Sequence, residues 1–268
     1  MSNSIQWWLG EDLVYKFNYY KGFLEGLDRN AEIRLDKKIK KYLSKNPSGP
    51  AHGLDHHHRV RSFTTIIGVA NGYDTESIKV SRYAALLHDL LKKPGKGGKG
   101  PHNWSELRKL TIDLMSKATI EDRHVPRVIN AIEEHHEDDP SKRSRDGNVL
   151  YEGDTVDITF LPRCFDLAES MPDLYPTMDR VIADYTSYQV SPSTPITPSG
   201  KRMFEVGKKW ALSTLDSLGD KLGDRKLRPY FPFLGTRWKE NINEAPLILK
   251  ETLDMYSEVL PHYEISLV

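Results

Sequence analysis

Ala84-Ala85-Leu86-Leu87-His88-Asp89-Leu90-Leu91-Lys92 is the stretch on which the reading of this chain turns. An apolar run delivers an imidazole and a carboxylate, side by side, into what the flanking residues mark as protein interior. Working outward, residues 75–91 place Val80, Ala84, Leu87 and Leu91 at spacings of four and three, one face of a helix. Residues 54–71 do the same with His56, Val60, Phe63, Ile67 and Ala70. Residues 103–116 offer Leu107, Leu110, Ile112 and Met115, and residues 120–136 align Val125, Val128, Ile129 and Ile132 with His135 and His136.

The remaining segments extend the same pattern. Segments 11–28 and 31–44 read as amphipathic helices, and Asn46-Pro47-Ser48-Gly49-Pro50 ends the second. Residues 137–153 are polar and read as a long loop. Residues 160–171 read as a buried helix, with Pro162 tolerable in its first turn. Residues 191–200 form a Ser/Thr/Pro-rich linker, after which helical patterns resume at 201–218 and 246–258. Almost nothing argues for strands, so the expected fold class is all-α.

Bulk composition removes several function classes. Lys plus Arg and Asp plus Glu number 38 each, so the net charge gives no electrostatic case for nucleic acid or a membrane surface. The chain has a single cysteine, Cys164, which excludes an internal disulfide or a thiolate zinc cluster and fits a reducing, cytoplasmic setting. No apolar stretch of about 20 residues is present, so no membrane span is expected. The first residues lack a basic segment followed by an apolar one, so no secretory signal is expected either.

Nine of the ten histidines fall between His52 and His136. His56, His88 and His135 each extend an apolar stripe on a different helix, so all three should project inward. A single stripe histidine is more often a hydrogen-bonded core residue than a ligand. Three of them, one followed by Asp, change the balance, because unpartnered buried imidazoles cost about a few kcal/mol each and a shared cation removes that cost. Imidazole with carboxylate suits a divalent transition metal: manganese, iron, nickel or cobalt.

Three separated segments together resemble the HD-domain superfamily of metal-dependent phosphohydrolases. His52-Gly53-Leu54-Asp55-His56-His57-His58-Arg59-Val60 is similar to the opening signature, and the resemblance assigns the first metal ligand to His56. Residues 84–92 resemble the His-Asp segment, with Leu91 where glycine is common and Lys92 in its expected place. Phe160-Leu161-Pro162-Arg163-Cys164-Phe165-Asp166-Leu167-Ala168-Glu169 is similar to the closing segment, which assigns Asp166 as the last ligand and Glu169 as a second acid. The resemblance implies a helical bundle in one domain spanning 1–268. Its HD core covers about residues 50–172, with N-terminal helices 1–49 and a C-terminal helical extension, 173–268, packed on it. If the Asp166 alignment is off, Asp154 or Asp157 could replace it.

His102 and the His135-His136 pair resemble the binuclear pattern of HD-GYP phosphodiesterases and CRISPR-associated HD nucleases, which favours two ions over one. The Gly-Tyr-Pro sequence itself is missing, since Glu137-Asp138-Asp139-Pro140 follows the pair. The implied ligand set is His56, His88, Asp89 and Asp166 for one ion, with Asp89 bridging to a second held by His102, His135 and His136. The expected activity is hydrolysis of a phosphoester in a nucleotide or other small phosphorylated metabolite by a metal-activated water. Asp89 and Lys92 are the expected catalytic residues, Lys92 neutralising phosphate charge. An exposed lysine at a helix C-terminus is the plainer reading of Lys92.

Substrate contacts are expected from His52, Arg59, Lys92 and the Gly/Lys-rich loop carrying Lys93 and Lys96, although such loops are often only solvated turns and Arg59 could equally salt-bridge a neighbouring helix. His57 and His58, on other helix faces than His56, are expected at the surface or behind the ligands. Two other readings use the same scaffold. A di-iron oxygenase like myo-inositol oxygenase could use four His and two Asp. A CRISPR-associated-type nuclease is disfavoured by the neutral charge, since phosphate contacts supply most nucleic-acid affinity. An intact ligand set argues against a non-catalytic regulatory module.

Overall fold

The computed structural model describes residues 3–27, 29–92, 103–189 and 195–259. Among these the fold is all-α, with no strand. In chain order the helices are α1 (Asn3–Tyr20), α2 (Arg29–Leu43), α3 (Leu54–Ala70), α4 (Thr75–Leu87), α5 (Trp104–Lys117), α6 (Val125–Glu134) and α7 (Arg145–Ile158). There follow α8 (Leu161–Ser170), α9 (Met178–Gln189), α10 (Pro198–Leu222), the short α11 (Phe231–Leu234) and α12 (Trp238–Asn241), and α13 (Lys250–Val259). No helix among the described residues is long and apolar enough to cross a membrane.

Local chemistry sets the helix starts. Asp74, Asn103, Ser144 and Thr197 each accept a backbone N–H in the first turn of α4, α5, α7 and α10. Pro126 and Pro162 sit in the first turns of α6 and α8, where no intrahelical N–H is needed. Two expectations need correction. The first helix begins at Asn3 rather than near residue 11, is kinked at Gly10 (φ 74°), and passes at Lys21 into a 3-10 turn. The polar segment 137–153 is a loop only to Ser144; its second half is helical, because Ser144 caps α7 and Val149, Leu150 and Val156 supply a buried face.

α3 is the hub. Its apolar residues and much of its polar surface are buried, and it packs against both α4 and α7. The α3–α7 contact is close because Gly153 has no side chain: a Cβ there would stand 2.2 Å from Thr64 Oγ1 and 3.0 Å from Thr64 N. α4 also packs on α6 and α7, and Val80, Ala84, Leu86 and Leu87 fill a core shared with α2, α5 and α6. A second core, with Trp8, Phe63, Ile66, Ile67 and Met203, joins α1, α3 and α10. A third lies within the C-terminal half, around Phe160, Phe165, Leu215, Trp238 and Tyr256.

One buried carboxylate fastens the C-terminal half to the hub. Glu152 of α7 accepts from Ile196 N (2.8 Å), Thr197 N (2.7 Å) and Thr197 Oγ1 (2.5 Å) at the start of α10. Glu152 is fully buried, and burial raises its pKa against these donors. Gly200 leaves room for it, since a Cβ at that position would meet Glu152 Oε2 at 2.3 Å.

Candidate metal centre

Two helices and two helix ends converge on a buried cluster. α3 carries His56 near its start, His88 and Asp89 follow the last turn of α4, α7 carries Asp154 and Asp157, and His135 closes α6. His56, His88 and Asp89 are completely buried, whereas a fifth of the Asp154 side chain is exposed. His56 Nε2 lies 3.1 Å from His88 Nε2, 3.5 Å from Asp89 Oδ2 and 3.6 Å from Asp154 Oδ1. His88 Nε2 lies 3.6 Å from Asp89 Oδ2 and 3.9 Å from Asp154 Oδ1.

The tautomers follow from the partners. His56 Nδ1 faces Asp157 Oδ2 at 2.8 Å, His88 Nδ1 faces the Ala85 carbonyl at 2.9 Å, and His135 Nδ1 faces the Ile132 carbonyl at 2.5 Å. These oxygens accept, so each Nδ1 carries a hydrogen and each neutral ring turns its Nε2 lone pair inward. The lone pairs of His56 and His88 therefore face each other, and only a proton or a cation between them makes that arrangement favourable. His135 Nε2 is buried without a hydrogen-bond partner and joins His88 and Asp89 in a second group of converging donor atoms.

Spacing fits a divalent ion. Nitrogen and oxygen ligands about 2.0–2.2 Å from a common centre stand roughly 3–3.6 Å apart. The contacts of His56 and His88 with each other and with Asp89 and Asp154 lie at or slightly beyond that interval, with carboxylates and imidazoles in a mixture suited to a first-row transition metal.

Electrostatics prepare the same site. Burial would raise Asp89, but the charges of His88 and Lys92, with hydrogen bonds from His52 and His56, hold its carboxyl well below the ordinary range. Burial would also raise Asp154; the charge of Arg163 and the contact with His88 outweigh it. Burial, then the charge of Arg163, lowers His56 to about 4 despite Asp157. Burial and the charges of His136 and His88 place His135 well below its usual value. His88 runs the other way: burial would lower it, yet Asp89 and Asp154 raise it.

Behind the ligands stands a buried ionic layer that sequence reasoning did not assign. Asp157 receives Arg59 Nε at 2.5 Å and Arg59 Nη2 at 3.2 Å, and lies 3.2 Å from Arg163 Nη1. Burial would raise the Asp157 carboxyl, but Arg59, the His56 hydrogen bond and Arg163 hold it far below normal. Arg163 Nη1 also reaches Asp154 Oδ1 at 3.0 Å. The available signal was the Asp154-x-x-Asp157 spacing, which puts two carboxylates on one helix face three residues apart.

The expected site residues divide accordingly. His56, His88, Asp89 and His135 converge. Asp166 does not: it lies in α8, where its Oδ1 accepts Thr236 N at 3.0 Å and burial raises its pKa to about 7. Asp154, one of the two alternatives to Asp166, lies 3.6 Å from His56 Nε2 and 3.9 Å from His88 Nε2. His136 is exposed, set against His135 and Trp104 outside the converging donors. Arg59 is buried against Asp157 rather than presented to a substrate. His52 Nδ1 meets Asp89 Oδ2 at 2.9 Å, and Lys92 Nζ lies 3.1 Å from Asp89 Oδ1 at the less buried edge. His57 is wholly buried beside His56 and His88, and His58 pairs with Asp36 at 2.5 Å, so neither is a free surface group. Glu169 faces Arg237 at 3.4 Å. Lys93, Lys96 and His102 lie outside the described residues.

No family model matches the chain, and no curated protein or solved structure matches it.

Proposed function

We propose that this chain is a metal-dependent phosphohydrolase of the HD type, cleaving a phosphoester of a nucleotide or another small phosphorylated metabolite. The observation that carries the reading is the pair of Nε2 atoms of His56 and His88, 3.1 Å apart between two ionised carboxylates. His56, His88, Asp89 and Asp154 would hold a divalent transition metal, manganese, iron, nickel or cobalt, and His135 stands ready for a second ion beside Asp89. Such an ion supplies Lewis acidity toward a phosphoryl oxygen and lowers the pKa of water.

The chain's own residues do the rest. Asp157 fixes the orientation and tautomer of His56, and Arg59 and Arg163 fix Asp157. His52 Nδ1 contacts the same Asp89 oxygen, Oδ2, that faces His56 and His88. Lys92 places an ammonium at the accessible edge, where charge accumulates on the transferred phosphoryl group. The apolar core beside α4 and α6 keeps His56, His88 and Asp89 fully buried, which strengthens each of these interactions. The neutral net charge favours a small substrate over a polynucleotide.

The test is phosphate release from a panel of nucleotides, phosphomonoesters and cyclic dinucleotides. The protein is loaded anaerobically with Mn²⁺ or Fe²⁺, and a His88→Ala/Asp89→Ala variant is the control. Metal-dependent release absent from the variant supports the hydrolase. Stoichiometric metal with no release from any compound, and oxygen uptake by the iron form, would replace it with an oxygenase.

A further inference from the structure

α2 divides sharply into an apolar side and a cationic one. Leu35 and Ile39 are fully buried, and with Ala31 they turn one side of the helix into the core shared with α4, α5 and α6. At about 3.6 residues per turn, Lys37, Lys38, Lys40 and Lys41 fall on the opposite side, within an arc of about 160°. All four are exposed, as is Lys45 in the turn that follows. The helix dipole favours cations in the last turn, which accounts for Lys40 and Lys41 but does not reach Lys37 and Lys38.

No acid of the helix balances this face. Glu32 is held by Arg82 Nε at 2.7 Å and Arg61 Nη1 at 2.8 Å, and Asp36 is held by His58. On the neighbouring α5, Asp113 is paired with Lys117 at 2.6 Å. The neutral total of the chain therefore conceals a segregated charge: residues 37–45 contain five lysines and neither Asp nor Glu.

The make-up of the face selects among anionic partners. It carries ammonium groups only, compact charges without the planar fork by which arginine grips a single phosphate. The one aromatic residue of α2, Tyr42, packs against the core, so the face has no ring on which a base could stack. Ile33, 51% exposed and one turn before Lys37, lies within the same arc. An exposed apolar side chain among lysines gains nothing from a phosphate backbone. It is favourable at a bilayer interface, where headgroup charge adjoins acyl surface.

We infer that the outward face of α2 docks on an anionic lipid bilayer, with Lys37, Lys38, Lys40, Lys41 and Lys45 against the headgroups and Ile33 among them. The inference is independent of the hydrolase reading and needs no membrane span. Each lysine close to such a surface contributes about a fivefold factor in partitioning, so five of them give reversible, salt-sensitive attachment.

Co-sedimentation of the full chain with vesicles of phosphatidylcholine alone, and of phosphatidylcholine with phosphatidylserine, tests it. The serine vesicles should retain the protein at about 0.1 M salt and release it at about 1 M, where the screening length falls from about 10 Å to about 3 Å. Lys37→Gln/Lys41→Gln should lower partitioning about twenty- to thirtyfold, whereas Lys37→Arg/Lys41→Arg should keep it. Ile33→Gln should weaken vesicle binding without changing the anisotropy of a labelled DNA duplex titrated with the protein. No retention on serine vesicles, equal retention on both kinds, or retention indifferent to the glutamine pair overturns the inference. A duplex held more tightly than the serine vesicles through the same lysines also overturns it and reassigns the face to nucleic acid.

Discussion

His56 Nε2 and His88 Nε2 meet at 3.1 Å, and both rings have already committed their Nδ1 hydrogens to oxygen acceptors. Without a metal, the proton that reconciles them belongs to His88, whose affinity for it Asp89 and Asp154 increase against the opposing effect of burial. A divalent ion at the proposed site would take that proton's place. Because the raised pKa keeps His88 protonated above the usual histidine range, metal affinity should rise with pH through that region, while the two carboxylates stay ionised throughout. Calorimetry in buffers of different ionisation enthalpy should show about one proton released per ion near neutral pH. No buffer dependence would mean that His88 is already neutral.

Asp157 acts through His56. Asp157→Asn keeps the shape but weakens the hold on Nδ1 and leaves Arg59 and Arg163 undercompensated in the interior. Metal affinity should fall about ten- to hundredfold, with a lower melting temperature. Competition with a fluorescent chelator measures the first effect. Unchanged affinity in a folded variant would reduce Asp157 to a structural role.

The two candidate closing ligands separate cleanly. Asp154→Asn should lose more metal than Asp157→Asn, whereas Asp166→Asn should keep its full complement. Metal content after dialysis decides, and the opposite pattern would restore Asp166 to the site.

Asp166 makes a different prediction. Its pKa is raised from 3.8 to about 7 by burial, and its Oδ2 has no hydrogen-bond partner. Between those values the folded state holds a proton that the unfolded state has lost. Its contribution to stability is therefore full below about 3.8 and disappears as pH rises through about 7. Asp166→Asn, which imitates the protonated form and keeps the acceptor for Thr236 N, should stabilise the protein at pH 8 by on the order of a few kcal/mol and little at pH 4. Urea denaturation at both values checks this; equal effects would show that Asp166 is ionised in the fold.

Gly153→Ala should cost about 1–3 kcal/mol, because the new methyl group would meet Thr64 Oγ1 at 2.2 Å and the α3 backbone at Thr64 N and Val60 O, 3.0 and 3.1 Å away. Since Asp154 is the next residue, metal affinity should fall with the melting temperature. Retained affinity in a destabilised protein would show that α7 shifts without carrying Asp154 away.

The all-α fold and three of the converging helices were legible because apolar periodicity is a local property: His56, His88 and His135 stood on stripes that had to face inward. The closing carboxylate was harder to read. Residues 160–169 gave the expected buried helix with an aspartate, and Asp154 directly followed a segment, 137–153, that reads as polar loop but is helical from Arg145. Only the tertiary pairing of α7 with α3, which depends on the missing side chain at Gly153, puts Asp154 against His56. Arg59 was equally ambiguous, since an arginine on a helix gives no local sign of whether its partner is a phosphate or the buried Asp157.

The Glu152 clasp makes the two halves of the chain inseparable in folding. A fragment ending near residue 172 would keep every converging donor, yet it would leave Glu152 buried without its three donors from Ile196 and Thr197. Two residues further along the same helix is Asp154. Disengaging α10 would therefore loosen the turn that carries Asp154, and an ion held there would favour the engaged α10: occupancy of the site and hydrogen-exchange protection of the α10 amides would be reciprocally coupled quantities.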